Sequence, residues 1–408
     1  MQLSKRITSL TGGVSDGWDV FYRARAMVAA GEKVTELTIG EHDIRTAAPI
    51  LKEMHEQAMS GHTGYAMVPG TDTLRDTVAK RVQDRTGVPT TRANVLITPG
   101  GQAALFAAHA AACDPGDTAL YIDPYYATYP GTIRGVSAIP QAVQTRAEDA
   151  FQPRKADLET AAKGARSLLI NTPNNPTGVV YAHQTLKDIA GVVSDKNLWL
   201  ISDEVYDTQV WEGEHISPRS LPGMADRTLV VGSMSKSHAM TGSRCGWIIG
   251  PEAAIDKLIT LATHTTYGVP GYIQDASVFA LDQGTDFETD IAAPFRRRRD
   301  AARKILAGQN VLGLIPAQGA MYLMLDIRAC AESGEGFANA LLDHEKIAVM
   351  PGESFGQSAA GHIRVAMTIE DNAFAHALRR ISAFADGQAA RRKGAHPNGA
   401  PQIISEPK

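Results

Sequence analysis

Short apolar runs recur through the middle of the chain, at Val95–Thr98, Thr118–Ile122, Ser167–Asn171, Leu198–Ser202, Thr228–Gly232 and Gly246–Ile249. Between some of them the apolar spacing turns helical, as in Ala103–Ala112 and Gln184–Asp195. Strands that alternate with helices predict an α/β fold with a mostly parallel sheet covered on both faces. Such sheets bind ligands at the carboxyl ends of their strands, which is where Asp203 and Lys236 fall in this pattern.

The carboxy-terminal third changes character. Phe287–Leu306 reads as one long helix, Gly319–Leu325 alternates as a strand, and Glu370–Ala385 reads as a last helix. This pattern divides the chain into a large domain, residues 46–287, and a smaller α+β domain built from residues 1–45 and 288–386. Residues 387–408 lack apolar periodicity and read as a flexible tail. No internal repeat is found. The run Arg296-Arg297-Arg298-Arg299 touches every face of its helix, so it is expected to be a solvated, salt-bridged surface.

With 408 residues the chain can build two domains and a large core. Its 44% hydrophobic and 21% charged content is ordinary for a globular protein. A formal charge of −4 argues against nucleic acid as a main partner. No apolar run approaches the roughly 20 residues of a membrane span, and Met1–Ser9 lacks the apolar core of a signal peptide. Cys113, Cys245 and Cys330 show no metal-ligand spacing and fit free thiols in a cytoplasmic protein. Cys245 reads as a packing residue. The histidines form no His-x-x-x-His pair, so no metal is expected, and His238 reads as structural. Gly352-Glu353-Ser354-Phe355-Gly356 only superficially resembles a nucleophile elbow.

The most informative segment is Gly232-Ser233-Met234-Ser235-Lys236-Ser237-His238, with Arg244 eight residues beyond Lys236. A lysine just past a buried strand, flanked by hydroxyls and followed by an arginine, suits a cofactor that carries an aldehyde and a phosphate. The amine can form a Schiff base with the aldehyde, and the hydroxyls and guanidinium can hold the phosphate. Pyridoxal 5'-phosphate is such a cofactor. Its ring nitrogen needs a carboxylate to stay protonated; Asp203, in Leu200-Ile201-Ser202-Asp203-Glu204-Val205-Tyr206, is the candidate. Tyr206 and Asn175, the latter in Asn171-Thr172-Pro173-Asn174-Asn175-Pro176-Thr177-Gly178, can donate to the phenolic oxygen. Upstream, Thr98-Pro99-Gly100-Gly101-Gln102 leads into an Ala-rich helix whose first amides form an anion site.

In this order the four segments resemble the class I aminotransferases, the aspartate aminotransferase-like branch of fold-type I pyridoxal phosphate enzymes, over roughly residues 10 to 385. The resemblance implies an aminotransferase that moves an amino group between an L-amino acid and a 2-oxo acid by a ping-pong cycle. Lys236, Asp203 and Tyr206 would carry the catalysis. Gly101, Gln102, Tyr126, Asn175, Ser233, Ser235 and Arg244 would hold the cofactor beside them. Tyr126 matches the aromatic stacked on the ring. Tyr65 matches a tyrosine that reaches the neighbouring subunit's phosphate, which implies a homodimer with shared sites. Arg364, with Gly40 and Asn175 beside it, matches the arginine that binds the substrate α-carboxylate.

Within the family, segments such as Gly17-Trp18-Asp19, Glu214-His215-Ile216-Ser217-Pro218 and Ser235–Gly242 are closer to arginine–pyruvate transaminases. One subgroup that prefers dicarboxylic donors has a lysine directly after the Gly-Gly turn; Gln102 stands there instead. A neutral or basic donor with pyruvate is therefore expected. The rival readings are an aspartate aminotransferase, a carbon–sulfur β-lyase of the same fold, and an aminotransferase-like transcription regulator. A regulator needs a DNA-binding domain ahead of this one, and the residues before the large domain are taken up by the small domain.

Overall fold

A computed structural model of the protein describes residues 1–13, 17–308 and 310–394. Among them twelve strands are formed: β1 (Thr35–Leu37), β2 (Val95–Thr98), β3 (Thr118–Asp123), β4 (Ile139–Gln144), β5 (Ala165–Asn171) and β6 (Trp199–Asp203) come first. They are followed by β7 (Thr228–Ser233), β8 (Gly246–Ile249), β9 (Gly313–Leu314), β10 (Tyr322–Asp326), β11 (Ile347–Pro351) and β12 (His362–Ala366). No helix among the described residues is long and apolar enough to cross a membrane.

Strands β2 to β8 make one sheet, in the order β2-β8-β7-β6-β5-β3-β4. The pairs from β4 through β7 are parallel, and β8 runs antiparallel to both β7 and β2. Every residue of β2, β7 and β8 is buried, as helices on both faces require of a largely parallel sheet. The pattern in the sequence missed β4. This is an edge strand with Pro140 and exposed Ile139 and Gln144, so no buried run marks it.

A second, five-stranded sheet has the order β1-β11-β12-β10-β9. Its apolar side packs with Phe295, Phe374, Leu378 and Ile381 from the long helices Gly284–Leu306 and Asp371–Gly394. The first of these helices begins three residues earlier than its periodicity suggested. The last runs on to Gly394, into the stretch read as a flexible tail; residues 395–408 of that stretch lie outside the described residues.

The expectation for the arginine run is corrected. Arg296 and Arg297 are exposed, but Arg298 and Arg299 are buried. Arg298 donates to Asp43 (2.7 and 3.0 Å), to Asp371 (2.7 Å) and to the Met367 carbonyl (2.9 Å). Arg299 pairs with Glu212 (2.5 Å) and donates to the Ala317 carbonyl (2.8 Å). Charges are buried here because each guanidinium finds carboxylates and carbonyls on other elements, which composition along one helix cannot reveal.

Candidate active site

Strands β2, β5, β6 and β7 end at Thr98, Asn171, Asp203 and Ser233, all at the same edge of the large sheet. Register places Asn171 beside Asp203 and Asp203 beside Val231. Beyond this edge lies a cavity of about 250 Å³. Its lining includes Gly40, Gly101, Gln102, Tyr126, Asn175, Asp203, Tyr206, Ser233, Ser235, Lys236, Arg244 and Arg364. Twelve residues singled out in the sequence thus meet in one place. Tyr65 does not: it is exposed and packs edge-on against Tyr267, with ring centroids 5.2 Å apart.

Ser233 caps the short helix Met234–Ser237, and its Oγ accepts from the Ser235 amide at 3.0 Å. That turn directs Lys236 toward the strap after β1, where Nζ donates to the Gly40 carbonyl. Burial pushes the Lys236 amine down to about 8; Glu41 opposes the shift, and Arg364 and Arg244 add to it. The Ser233 hydroxyl also donates to Ser235 Oγ (2.8 Å). Arg244 takes a left-handed backbone conformation (φ 50°) and donates to the Thr241 carbonyl at 2.7 Å. Gly100 makes room for it: a Cβ there would lie 2.4 Å from Arg244 Nη2. Hydroxyls, guanidinium and the amino end of the helix Gly101–Ala112 therefore converge on one corner of the cavity, a combination suited to a phosphate.

At the floor, Asp203 accepts from the Tyr129 hydroxyl (2.7 Å) and the Val205 amide (3.3 Å). Among the described residues no cation pairs with it. Burial raises its carboxyl to about 6, against the pull of those two donors. A buried carboxylate without a cation, facing a cavity, fits a protonated ring nitrogen.

Arg364, on β12, is fully buried. Nη1 donates to Asn175 Oδ1 (2.9 Å) and Nη2 to the Thr38 carbonyl. The rings of Phe355 and Tyr322 lie 4.3 and 4.5 Å from its Cζ. Its Nε has no partner among the described residues, an open donor that a carboxylate can fill. Tyr322 also meets Tyr206 (O···O 2.9 Å) and accepts from Asn175 Nδ2 (3.4 Å). Burial raises both phenols above their ordinary range. Gly40 is required by this tyrosine, since a Cβ would lie 1.8 Å from Tyr322 Oη.

Gln102 is held at both ends by neutral groups: Nε2 donates to the Thr132 hydroxyl (2.7 Å) and Oε1 accepts from Thr128 (3.0 Å). Cys245 is fully buried with its thiol pushed up to about 11, as a packing residue should be. His238 is buried and stacked on Phe287, with its ring pushed down to about 3 by burial. Ser354 donates to the Gly17 carbonyl (2.6 Å) in a 3-10 turn, so the Gly352–Gly356 segment forms no nucleophile elbow.

Sequence reasoning missed Tyr129, Tyr322, Phe355 and Thr38. Tyr322 and Phe355 stood in segments quoted for other reasons, and nothing local marks the contacts they make.

A lysine, a lone carboxylate and a buried arginine around the strand ends of this sheet define a fold-type I pyridoxal phosphate enzyme fold. The aminotransferase class I and II family model matches residues 32–381, and the chain belongs to that family: it is an aminotransferase, a transferase enzyme. It is 37% identical to the arginine–pyruvate transaminase of Pseudomonas aeruginosa, over 94% of this chain and 98% of that one. It is 30% identical to the aspartate aminotransferase of Thermotoga maritima, over 94% and 99% of the two chains. The solved aspartate aminotransferase of Thermus thermophilus with maleate superposes with a TM-score of 0.87, at 30% identity over 94% of this chain and 99% of that one.

Proposed function

We propose that the protein binds pyridoxal 5'-phosphate and transfers an amino group from a neutral or basic L-amino acid, arginine among them, to pyruvate. The observation that carries this reading is one cavity shared by the Lys236 amine, the unpaired Asp203 carboxylate and the open Nε of Arg364. Lys236 would attach the cofactor, with Gly101, Gln102, Ser233, Ser235 and Arg244 around its phosphate. Tyr126 would lie against its ring, Asp203 would face the ring nitrogen, and Tyr206 and Asn175 the phenolic oxygen. When bound, the cofactor supplies an electron sink for the charge left by the α-proton.

The chain's own residues do the rest. Arg364 grips the α-carboxylate through two parallel donors and so orients the α-hydrogen. Lys236 Nζ removes that proton as a neutral amine and later returns it; burial, which brings its pKa to about 8, keeps a useful neutral fraction near neutral pH. Asp203 holds a proton on the ring nitrogen. The buried phenols of Tyr206 and Tyr322 stay protonated and act as donors.

Two observations bear on the donor. Gln102 offers a satisfied neutral amide where a dicarboxylate-preferring subgroup has lysine, so a charge-assisted bond of roughly 1.5–3 kcal/mol is missing. Similarity to the arginine–pyruvate transaminase points the same way. Tyr65, Met67 and Tyr267 form an exposed apolar patch, which supports a homodimer with shared sites. Three buried free thiols fit a cytoplasmic protein.

The test is kcat/KM for arginine, alanine, aspartate and an aromatic donor, each with pyruvate and with 2-oxoglutarate, alongside a measurement of ammonia. Arginine or alanine with pyruvate should lead. A lead of about tenfold for aspartate defeats the donor assignment, and release of ammonia and pyruvate from cystathionine offered without any oxo acid, in place of amino transfer, would make the protein a carbon–sulfur lyase.

A further inference from the structure

We propose that Asp123 is a positioning residue for the substrate-carboxylate site. From the end of β3 it clamps the turn Phe355–Ser358, and this turn sets the Phe355 ring against the guanidinium of Arg364. The inference rests on reading Arg364 as the carboxylate anchor.

Asp123 is 1% exposed, yet three N–H donors from other segments converge on its two oxygens. Oδ2 accepts from Gln144 Nε2 and from the Gln357 amide, each at 3.0 Å, and Oδ1 accepts from the Ser358 amide at 3.2 Å. The same turn is tied down at neighbouring points. The Tyr125 amide donates to the Phe355 carbonyl (2.9 Å), Ser358 Oγ donates to Gln144 Oε1 (2.8 Å), and the Thr145 amide donates to Ser358 Oγ (3.2 Å). Between Phe355 and Gln357 stands Gly356, at φ 113°. A Cβ there would lie 2.1 Å from Asp123 Oδ1, so the carboxylate occupies space that any other residue would fill.

The purpose of so much fixing is visible at the other end of the turn. Phe355 is fully buried, and its ring centroid lies 4.3 Å from Arg364 Cζ. A guanidinium that must present its open Nε to a substrate needs its plane fixed. The flat face of Phe355 does that without using up a donor.

The chemistry of the clamp demands an ionised carboxylate. Both oxygens face N–H groups, so a protonated carboxyl or an amide would turn a donor toward a donor. No cation pairs with Asp123 among the described residues. The titratable groups around it are Tyr121 and Tyr125, whose phenols its charge helps push up, and Arg134, which acts on both phenols from outside. Burial holds Asp123 at about 6, so the clamp is formed at neutral pH and loosens in mild acid.

The experiment is Asp123→Asn in the holoenzyme, with KM and kcat measured for arginine and for pyruvate, which share little beyond their carboxylate. Both KM values should rise together by about tenfold, with kcat within about twofold of wild type. Gly356→Ala attacks the same turn from its other side and should give the same split, which keeps the test alive if Asp123→Asn does not fold. A folded variant with unchanged KM values, or with only kcat reduced, overturns the clamp. Arg364→Lys, run alongside, separates the two failures. Unchanged KM values in Arg364→Lys overturn the anchor itself and the clamp with it. Raised values there with unchanged values in Asp123→Asn overturn only the clamp.

Discussion

Replacing Asp203 with Asn should make the cofactor-free protein more stable while weakening its hold on cofactor. The carboxylate is 4% exposed and has two neutral donors but no cation among the described residues. Burial, the largest cause, raises its pKa from 3.8 to about 6, and the neighbouring Glu204 adds to the rise. In the window between those values the folded state holds a proton that the unfolded state has lost, so stability falls as pH rises through it. Above about 6 the full cost applies; at 1.36 kcal/mol per pH unit it is of order 3 kcal/mol. Asn carries no charge to desolvate; with its oxygen accepting from the Val205 amide, its NH2 can donate to the Tyr129 hydroxyl, which rotates to accept, so most of that cost should vanish. Urea unfolding of the cofactor-free proteins at pH 7 and pH 5 measures the gap, which should favour the variant at pH 7 and shrink at pH 5. Equilibrium dialysis against pyridoxal phosphate should show weaker retention by the same variant. A variant less stable than wild type at pH 7, or a gap that widens in acid, refutes the argument that the site stores an unpaired charge for its ligand.

Three further outcomes are expected. Lys236→Ala should fold and still take up cofactor, but lose the borohydride-reducible attachment and about 10²–10⁴ or more of the transamination rate; a reducible link surviving in this variant removes Lys236 from the role. Arg364→Lys keeps the charge but loses the fork, so kcat/KM for arginine should fall by about ten- to a hundredfold or more, the value of one charge-assisted bond. Agmatine, the same donor without its carboxylate, should be hardly affected, and an equal loss for both amines would show that Arg364 does not read the carboxylate. Tyr65→Phe should release cofactor more readily on dialysis without altering unfolding of the cofactor-free protein; a wild-type monomer fully active at high dilution contradicts the shared site behind this expectation.

Features that reach only a few residues along the chain are legible in its sequence; those that join distant segments are not. The strands of the large sheet were legible because burial on both faces leaves a continuous apolar run. Lys236, Asp203, Asn175 and Arg244 were legible because each stands at a strand end or beside one, with local neighbours of telling chemistry. The edge strand β4 was not, since one exposed side erases that run.

What the chain by itself determined, then, was the buried strands of the large sheet, several of the helices, and the identity of most of the groups brought to the cavity. Tertiary structure decided how those groups are held. Arg364 meets Asn175 across 189 residues of chain and Tyr206 meets Tyr322 across 116, distances over which no spacing rule operates. The burial of Arg298 and Arg299 likewise depended on carboxylates and carbonyls from other segments. Whether a charge is solvated, paired or left open for a ligand is settled by which remote segments the fold packs against it. That packing separates the satisfied Arg298 from the waiting Asp203 and from the open Nε of Arg364.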